Sequence, residues 1–424
     1  MSTTHAAIPL SLFPPGPGGA CATTRTCGPQ GEVEQSAHPT APVTDADIFR
    51  AHEGGKLRVA VGPALDDARA LAVAYTPGVA RVSQAIAADA ALAARYTWAA
   101  RLVVVVTDGT AVLGLGDIGP RAALPVMEGK AALLKHFAGL DAIPLVLDTT
   151  DVDEIVDTLV RLRPSYAAVS LEDVAAPRCF DLERRLVARL DCPVMHDDQH
   201  GTAVAVLAAL RGACALLDRP LSSRRVVVAG AGAAGTACAD ILLSAGVTDL
   251  TVVDSRGVLR PGRDHLNPTK AALAARTNPR GVRGGLDAAL RGADVLVGVS
   301  CATVPEEWIA TMAPDAVVLA LSNPVPEIHP EVAARHVAIV GTGGSDFPNQ
   351  VINTLASPGI YRGALDAGAR RITQRMKLAA ADAIAAVAAP DLAAHRIVPH
   401  SLDPRVAPAV AAAVARAALA DGVA

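Results

Sequence analysis

Aromatic side chains are scarce in this chain, with two Trp, four Tyr and five Phe among 424 residues. Hydrophobic residues still make up 51%, so the core is built from Ala, Val and Leu, and the length suffices for two or three domains. Charge of one sign is also lacking: 38 basic residues face 42 acidic ones, for a formal charge of −4. With no basic stripe, nothing supports a nucleic-acid partner. The cysteines, at 21, 27, 179, 192, 214, 238 and 301, are odd in number and form no CxxC. Several lie in apolar runs, which points to buried free thiols in a reducing compartment rather than a disulfide framework. No uncharged apolar run reaches the ~18–20 residues of a membrane span. The N-terminus lacks a basic region, and Pro9, Pro14, Pro15 and Pro17 break its apolar part, so it does not read as a signal peptide. The expectation is a cytoplasmic protein with no membrane partner. No internal repeat is visible.

Residues 1 to 43 are rich in Pro, Gly, Thr and Ser and without period, as in a disordered arm. Beyond them, short Val- and Ile-rich runs alternate with helical stretches. Strands are expected at 101–107, 143–147 and 166–171, then at 225–229, 250–254, 294–299, 316–321 and 337–340. Such alternation predicts an α/β fold with parallel sheets. Alanine-rich sequence after Gly363 predicts terminal helices, with breaks near Pro390 and Pro399.

Chemistry concentrates in a few stretches. Pro193 to Ala203 places Asp197 and Asp198 between His196 and His200, after a short apolar segment and before a long one from Ala203 to Leu217. This reads as a strand end, a polar turn and a buried helix. Gly230-Ala231-Gly232-Ala233-Ala234-Gly235 follows a strand and opens a helix, the setting in which glycines admit a dinucleotide pyrophosphate at a helix N-terminus. Asp254 closes the next strand and suits the ribose hydroxyls of NAD, which it slightly favours. Arg256 suits a 2′-phosphate and keeps NADP open. Glu172 and Asp173 end a strand, and with Asp198 they supply three carboxylates for a hard cation such as Mg²⁺ or Mn²⁺. Lys130 precedes an apolar helical run. A lysine opposing the helix dipole there is easier to explain if it has a chemical task. Tyr75 lies in Tyr75-Thr76-Pro77-Gly78. Asn323 and Asn353 stand near strand ends where an open α/β sheet binds ligands.

Taken together, the motifs resemble the malic enzyme family in its short bacterial form, from about Ile48 to about Asp366. The stretches that carry the resemblance are Tyr75 to Ala80, Thr107 to Gly119, Met127 to Lys130, Leu171 to Asp173, His196 to Thr202 and Ser322 to Pro324. The resemblance implies metal-dependent oxidative decarboxylation of L-malate to pyruvate and CO₂ with NAD or NADP. It implies Tyr75 as general acid and Lys130 as general base. It implies Glu172, Asp173 and Asp198 as ligands of Mg²⁺ or Mn²⁺, residues 230–235 as the phosphate turn, and Asn323 and Asn353 as nicotinamide- or substrate-facing amides. It further implies a homodimer or higher homo-oligomer. The expected organisation is an arm over 1–43, an α/β substrate and metal domain over 44–205, a Rossmann-like dinucleotide-binding domain over 206–362 and C-terminal helices over 363–424. Ile352, Ser357 and Ala111 depart from residues common in the family. Three alternatives stay open: an oxaloacetate decarboxylase or malolactic-type enzyme with bound NAD, another metal-dependent 2-hydroxy-acid decarboxylase, and a dinucleotide sensor without catalysis.

Overall fold

The computed structural model describes residues 43–112, 114–300 and 302–424. The proposed arm up to residue 42, Leu113, Cys21, Cys27 and Cys301 lie outside them. From Asp45 onward the chain is one unit. It begins with four helices, α1 (Asp45–His52), α2 (Ala68–Ala74), α3 (Gly78–Ala88) and α4 (Leu92–Tyr96), none of which buries a residue.

A first sheet follows. Its strands are β1 (Leu102–Thr107), β2 (Asp141–Val146), β3 (Ala168–Leu171) and β4 (Val194–His196), all parallel in the order β2-β1-β3-β4. The valine run of β1 is buried throughout, as a parallel strand covered on both faces must be. The connecting helices are α5 (Pro120–Ala138), α6 (Val152–Leu162) and α7 (Arg178–Arg189).

Helix α8 (Asp197–Leu216) begins directly where β4 ends. The expected polar turn is therefore the first turn of this helix. Two acids at its start suit the exposed N–H groups and the positive dipole end. Being apolar on all sides, α8 is buried on all sides, against α9 (Ala233–Ser244) and α15 (Gln374–Ala388). Residue 205, the expected domain boundary, falls in its middle.

The second sheet contains β5 (Arg225–Ala229), β6 (Asp249–Asp254), β7 (Gly257–Val258), β8 (Val295–Gly298), β9 (Val317–Ala320) and β10 (Ile339–Thr342). Their order is β10-β9-β8-β5-β6-β7, parallel except for β7. Strand β5 sends the chain to β6 on one side and receives β8 on the other, which creates the switch-point crevice of a doubly wound sheet. Short helices α10 (Pro268–Ala274), α11 (Leu286–Leu290), α12 (Glu306–Ile309) and α13 (Pro330–Ala333) fill the connections. Helices α14 (Ser357–Asp366), α15 and α16 (Val406–Ala420) close the chain and share one apolar core with α8 and both sheets. None of the helices described is long and apolar enough to cross a membrane.

Candidate active site

The carboxylates gather at the C-terminal edge of the first sheet. Glu172 and Asp173 leave β3, while Asp197 and Asp198 open α8 beside β4. Asp173 has φ 54°, a left-handed backbone that aspartate tolerates better than most residues, and its N–H donates to Asp198 Oδ2 at 2.7 Å. Lys130 enters from α5. Its Nζ donates to Asp197 and lies 3.3 Å from Glu172 Oε2. Lys130 stands in the middle of α5, with ten helical residues before it. The cost of placing it is therefore desolvation and not the helix dipole. Burial works against its charge, yet Asp197, Glu172 and Asp198 outweigh it, and the amine is held protonated. Burial pushes Glu172 well above the usual carboxylate range, helped by the three neighbouring acids and opposed by Lys130. Ser170 Oγ donates to the same carboxylate at 2.9 Å.

Gly201 explains how Asn353 joins this group. A Cβ at Gly201 would lie 1.9 Å from Asp197 Oδ1 and 2.9 Å from Asn353 Cβ. Only glycine lets the Asp197 carboxylate and the turn Asn353–Leu355 meet over α8. Asn323 is exposed at the end of β9, between Gly114 of the first sheet's loop and Gly343 after β10, where a Cβ would lie 2.9 Å from its Nδ2.

The phosphate turn faces a groove of about 900 Å³. Gly230, at φ 123°, passes so close to Val299 that a Cβ would lie 2.7 Å from that carbonyl, whereas a Cβ at Gly232 would meet nothing within 4 Å. The turn packs at its ends and is open at its middle, as a phosphate cradle requires. Pro177, just before α7, and Phe180, on it, line the same groove, so the first half of the chain contributes to its wall.

Asp254 is in the groove but fully engaged. Arg263 binds both its oxygens, at 2.7 and 2.6 Å, Lys270 Nζ reaches Oδ2 at 2.8 Å, and the Arg256 N–H reaches Oδ1 at 2.9 Å. Burial raises this carboxyl, but these donors outweigh it and hold it well below the usual range. Arg263 and Lys270 carry no signal in the sequence, because a loop of irregular length brings them back to β6.

Tyr75 is not part of the cluster. Its side chain is 66% exposed, and no hydrogen bond joins it to Lys130 or to the acids. Among the described residues no group of three or more His, Cys, Asp or Glu side chains is arranged to hold a metal ion. The acids turn instead to local donors: Glu172 to Ser170 and Lys130, and Asp198 to the Asp173 N–H.

Comparison with known proteins decides the family. The family model "Malic enzyme, N-terminal domain" matches residues 55–187, and "Malic enzyme, NAD binding domain" matches 199–419. The chain belongs to the malic enzyme family. An NAD-dependent malic enzyme of Geobacillus stearothermophilus is 48% identical over 89% of this chain and 79% of its own. A bifunctional malic/malolactic enzyme of Bacillus subtilis is 49% identical over 87% of this chain and 91% of its own. An NADP-dependent malic enzyme of Halomonas elongata is 43% identical over 87% and 92%. The crystal structure of malic enzyme from Pyrococcus horikoshii superposes with a TM-score of 0.86 at 41% identity, covering 89% of this chain and 91% of that one.

Proposed function

We propose that this malic enzyme oxidises L-malate and releases pyruvate and CO₂, with a nicotinamide dinucleotide taking the hydride. The observation that carries the reading is the buried Lys130, held among Glu172, Asp197 and Asp198 at the C-terminal edge of the first sheet. Glu172, Asp197 and Asp198 face a single ammonium, with Asp173 beside Glu172, a charge balance that suits a divalent cation. Glu172, Asp173 and Asp198 would hold Mg²⁺ or Mn²⁺. Bound there, the ion supplies Lewis-acid polarisation of the substrate's oxygens. Lys130 is the group placed to take the C2 hydroxyl proton as hydride leaves C2 for the nicotinamide. Its proton must first be lost, so the negative charge now facing Lys130 has to be engaged elsewhere in the working site. The β-keto acid then loses CO₂, and Tyr75 protonates C3 to give pyruvate. Asn353, beside Asp197, faces the substrate, and Asn323 faces the nicotinamide.

Tyr75 reaches this chemistry from a second copy of the chain. Supporting a homodimer, Phe49 on α1, at 74%, and Val59 between α1 and α2, at 86%, are exposed, as apolar side chains at an interface are before pairing. In place of the slight preference for NAD that Asp254 suggests in the sequence, the preferred cofactor is NADP. The four donors on Asp254 leave it little capacity for ribose hydroxyls, while Arg263 and Lys270 against one carboxylate leave net positive charge for a 2′-phosphate. Buried free thiols at Cys179, Cys192, Cys214 and Cys238 support a cytoplasmic setting.

The test is reduced-nicotinamide absorbance with L-malate, Mn²⁺ and either dinucleotide, alongside pyruvate and lactate assays. Reduced cofactor and pyruvate in equal amounts are expected, faster with NADP. Lactate without net cofactor reduction would move the reading to the malolactic side. Lys130→Ala is expected to lower turnover about 10²- to 10⁴-fold while dinucleotide binding persists; unchanged turnover would remove Lys130 from the mechanism.

A further inference from the structure

Behind the acids lies a polar chain that the mechanism above does not use. Glu183, on α7, accepts the His196 backbone N–H at 2.8 Å through Oε1. Its Oε2 lies 2.9 Å from His200 Nε2 and accepts from Gln199 Nε2 at 3.4 Å. The same Gln199 nitrogen stands 3.1 Å from His196 Nδ1. On the far side of that ring, His196 Nε2 is 3.3 Å from Asp198 Oδ2. His196 is fully buried, and this nitrogen has no hydrogen-bond partner in the structure as it stands.

The order of these groups fixes their polarity. A carboxylate only accepts, so Glu183 selects the NH₂ end of the Gln199 amide. That NH₂ has two hydrogens, one for Glu183 and one for His196 Nδ1. With Nδ1 accepting, the ring hydrogen sits on Nε2, the nitrogen aimed at Asp198. Burial raises the Glu183 carboxyl, but His200, then Lys377 of α15 and the His196 N–H, outweigh it and lower it to about 2.

We propose that Glu183, Gln199 and His196 form a relay that sets the His196 tautomer and thereby orients the Asp198 carboxylate for a divalent cation. The inference rests on the metal reading above. Glu183, Gln199 and His196 act as positioning residues, through Asp198 and not on substrate; none lines the dinucleotide groove. Outer partners of this kind typically change metal affinity about 10- to 100-fold when removed.

The experiment is Mn²⁺ binding by the full chain without substrate, followed by titration calorimetry or by the free-Mn²⁺ spin-resonance signal. Binding of reduced dinucleotide is followed by fluorescence on the same samples. The variants are Gln199→Met, which keeps length and removes the amide, Glu183→Gln, which lets either amide end face Gln199, and Asp198→Asn. The relay predicts Mn²⁺ affinity about 10-fold or more weaker in the first two, with dinucleotide affinity unchanged. Because the dinucleotide groove reports folding separately, a variant that has lost both is misfolded, and the other relay variant then decides. Wild-type affinity for Mn²⁺ in folded Gln199→Met and Glu183→Gln, with binding lost in Asp198→Asn, would overturn the relay and leave the metal site standing. Failure of the wild-type protein to bind Mn²⁺ would overturn both.

Discussion

At the scale of single residues, identity was easier to read than charge state. Glu172, Asp173, Asp198 and the glycines of 230–235 are visible because strand ends and a glycine turn expose a small set of residue types at fixed places. Lys130 is equally visible, but the helix-dipole reason for it fails, because α5 begins ten residues earlier than the apolar run suggests. What burdens Lys130 is burial, and what keeps it charged is Asp197, 67 residues away in sequence. Asp254 shows the same limit. Its place at the end of β6 follows from the pattern, whereas its engagement by Arg263 and Lys270 depends on a loop that no periodicity describes. A consequence concerns pH. The folded-state value of Asp254 lies below the ordinary carboxylate value. Its contribution to stability is therefore full above the unfolded value of about 3.9 and is lost as pH falls through the lowered folded value. Urea unfolding of Asp254→Asn without cofactor should show a deficit against wild type at neutral pH that narrows only in the acid range, below about pH 4. A deficit that stays constant into that range would mean that the ion pair with Arg263 contributes nothing.

At the scale of elements, every expected strand is present, its bounds kept or shifted by a residue or two, because parallel strands packed on both faces read as continuous apolar runs. The informative misreading is at residues 197–202. A cluster of Asp, Gln, His, Gly and Thr looks like a turn, since those residues compete with helical hydrogen bonding. In the structure they are the first turns of α8, stabilised by acids at the dipole's positive end and by Glu183 reaching across from α7. Gly201 marks the place where this element carries its constraint. It is glycine because the Asp197 carboxylate and Asn353 occupy the space of a side chain. Gly201→Ala should therefore be destabilising despite the higher helix propensity of alanine, which alone favours the substitution by about 1 kcal/mol. Overpacking of this kind costs about 1–3 kcal/mol. It would also displace Asp197 from Lys130, so turnover should fall together with stability. A variant as stable and as active as wild type in denaturant melts and malate oxidation would show that the cluster has room that the geometry denies it.

At the scale of the whole molecule, the division into a half with the clustered acids and a dinucleotide half is legible from the two series of strands, but the way α8 joins them is not. One helix carries the acids at its start and the shared core along its length, so no linker separates the halves. What the sequence leaves unread is the placement of Tyr75. Its motif is complete, yet among the described residues α1 to α4 bury none of their side chains, and Tyr75 is exposed. A closed two-fold pairing presents the same patch of each copy to the other, which would cover these apolar faces and carry each Tyr75 toward the other copy's Lys130. Mixing two inactive variants tests this directly. Lys130→Ala and Tyr75→Phe, co-expressed with different tags and reassembled at random, give mixed dimers in half of the population. If the acid comes from the second copy, each mixed dimer holds one site with an intact Lys130 and an intact Tyr75, and the other site with neither. The mixture should then recover about a quarter of the wild-type turnover per site, as two-fold symmetry requires, and purified mixed dimers about half. If Tyr75 serves the Lys130 of its own chain, every site in every dimer lacks one of the pair, and mixing recovers nothing.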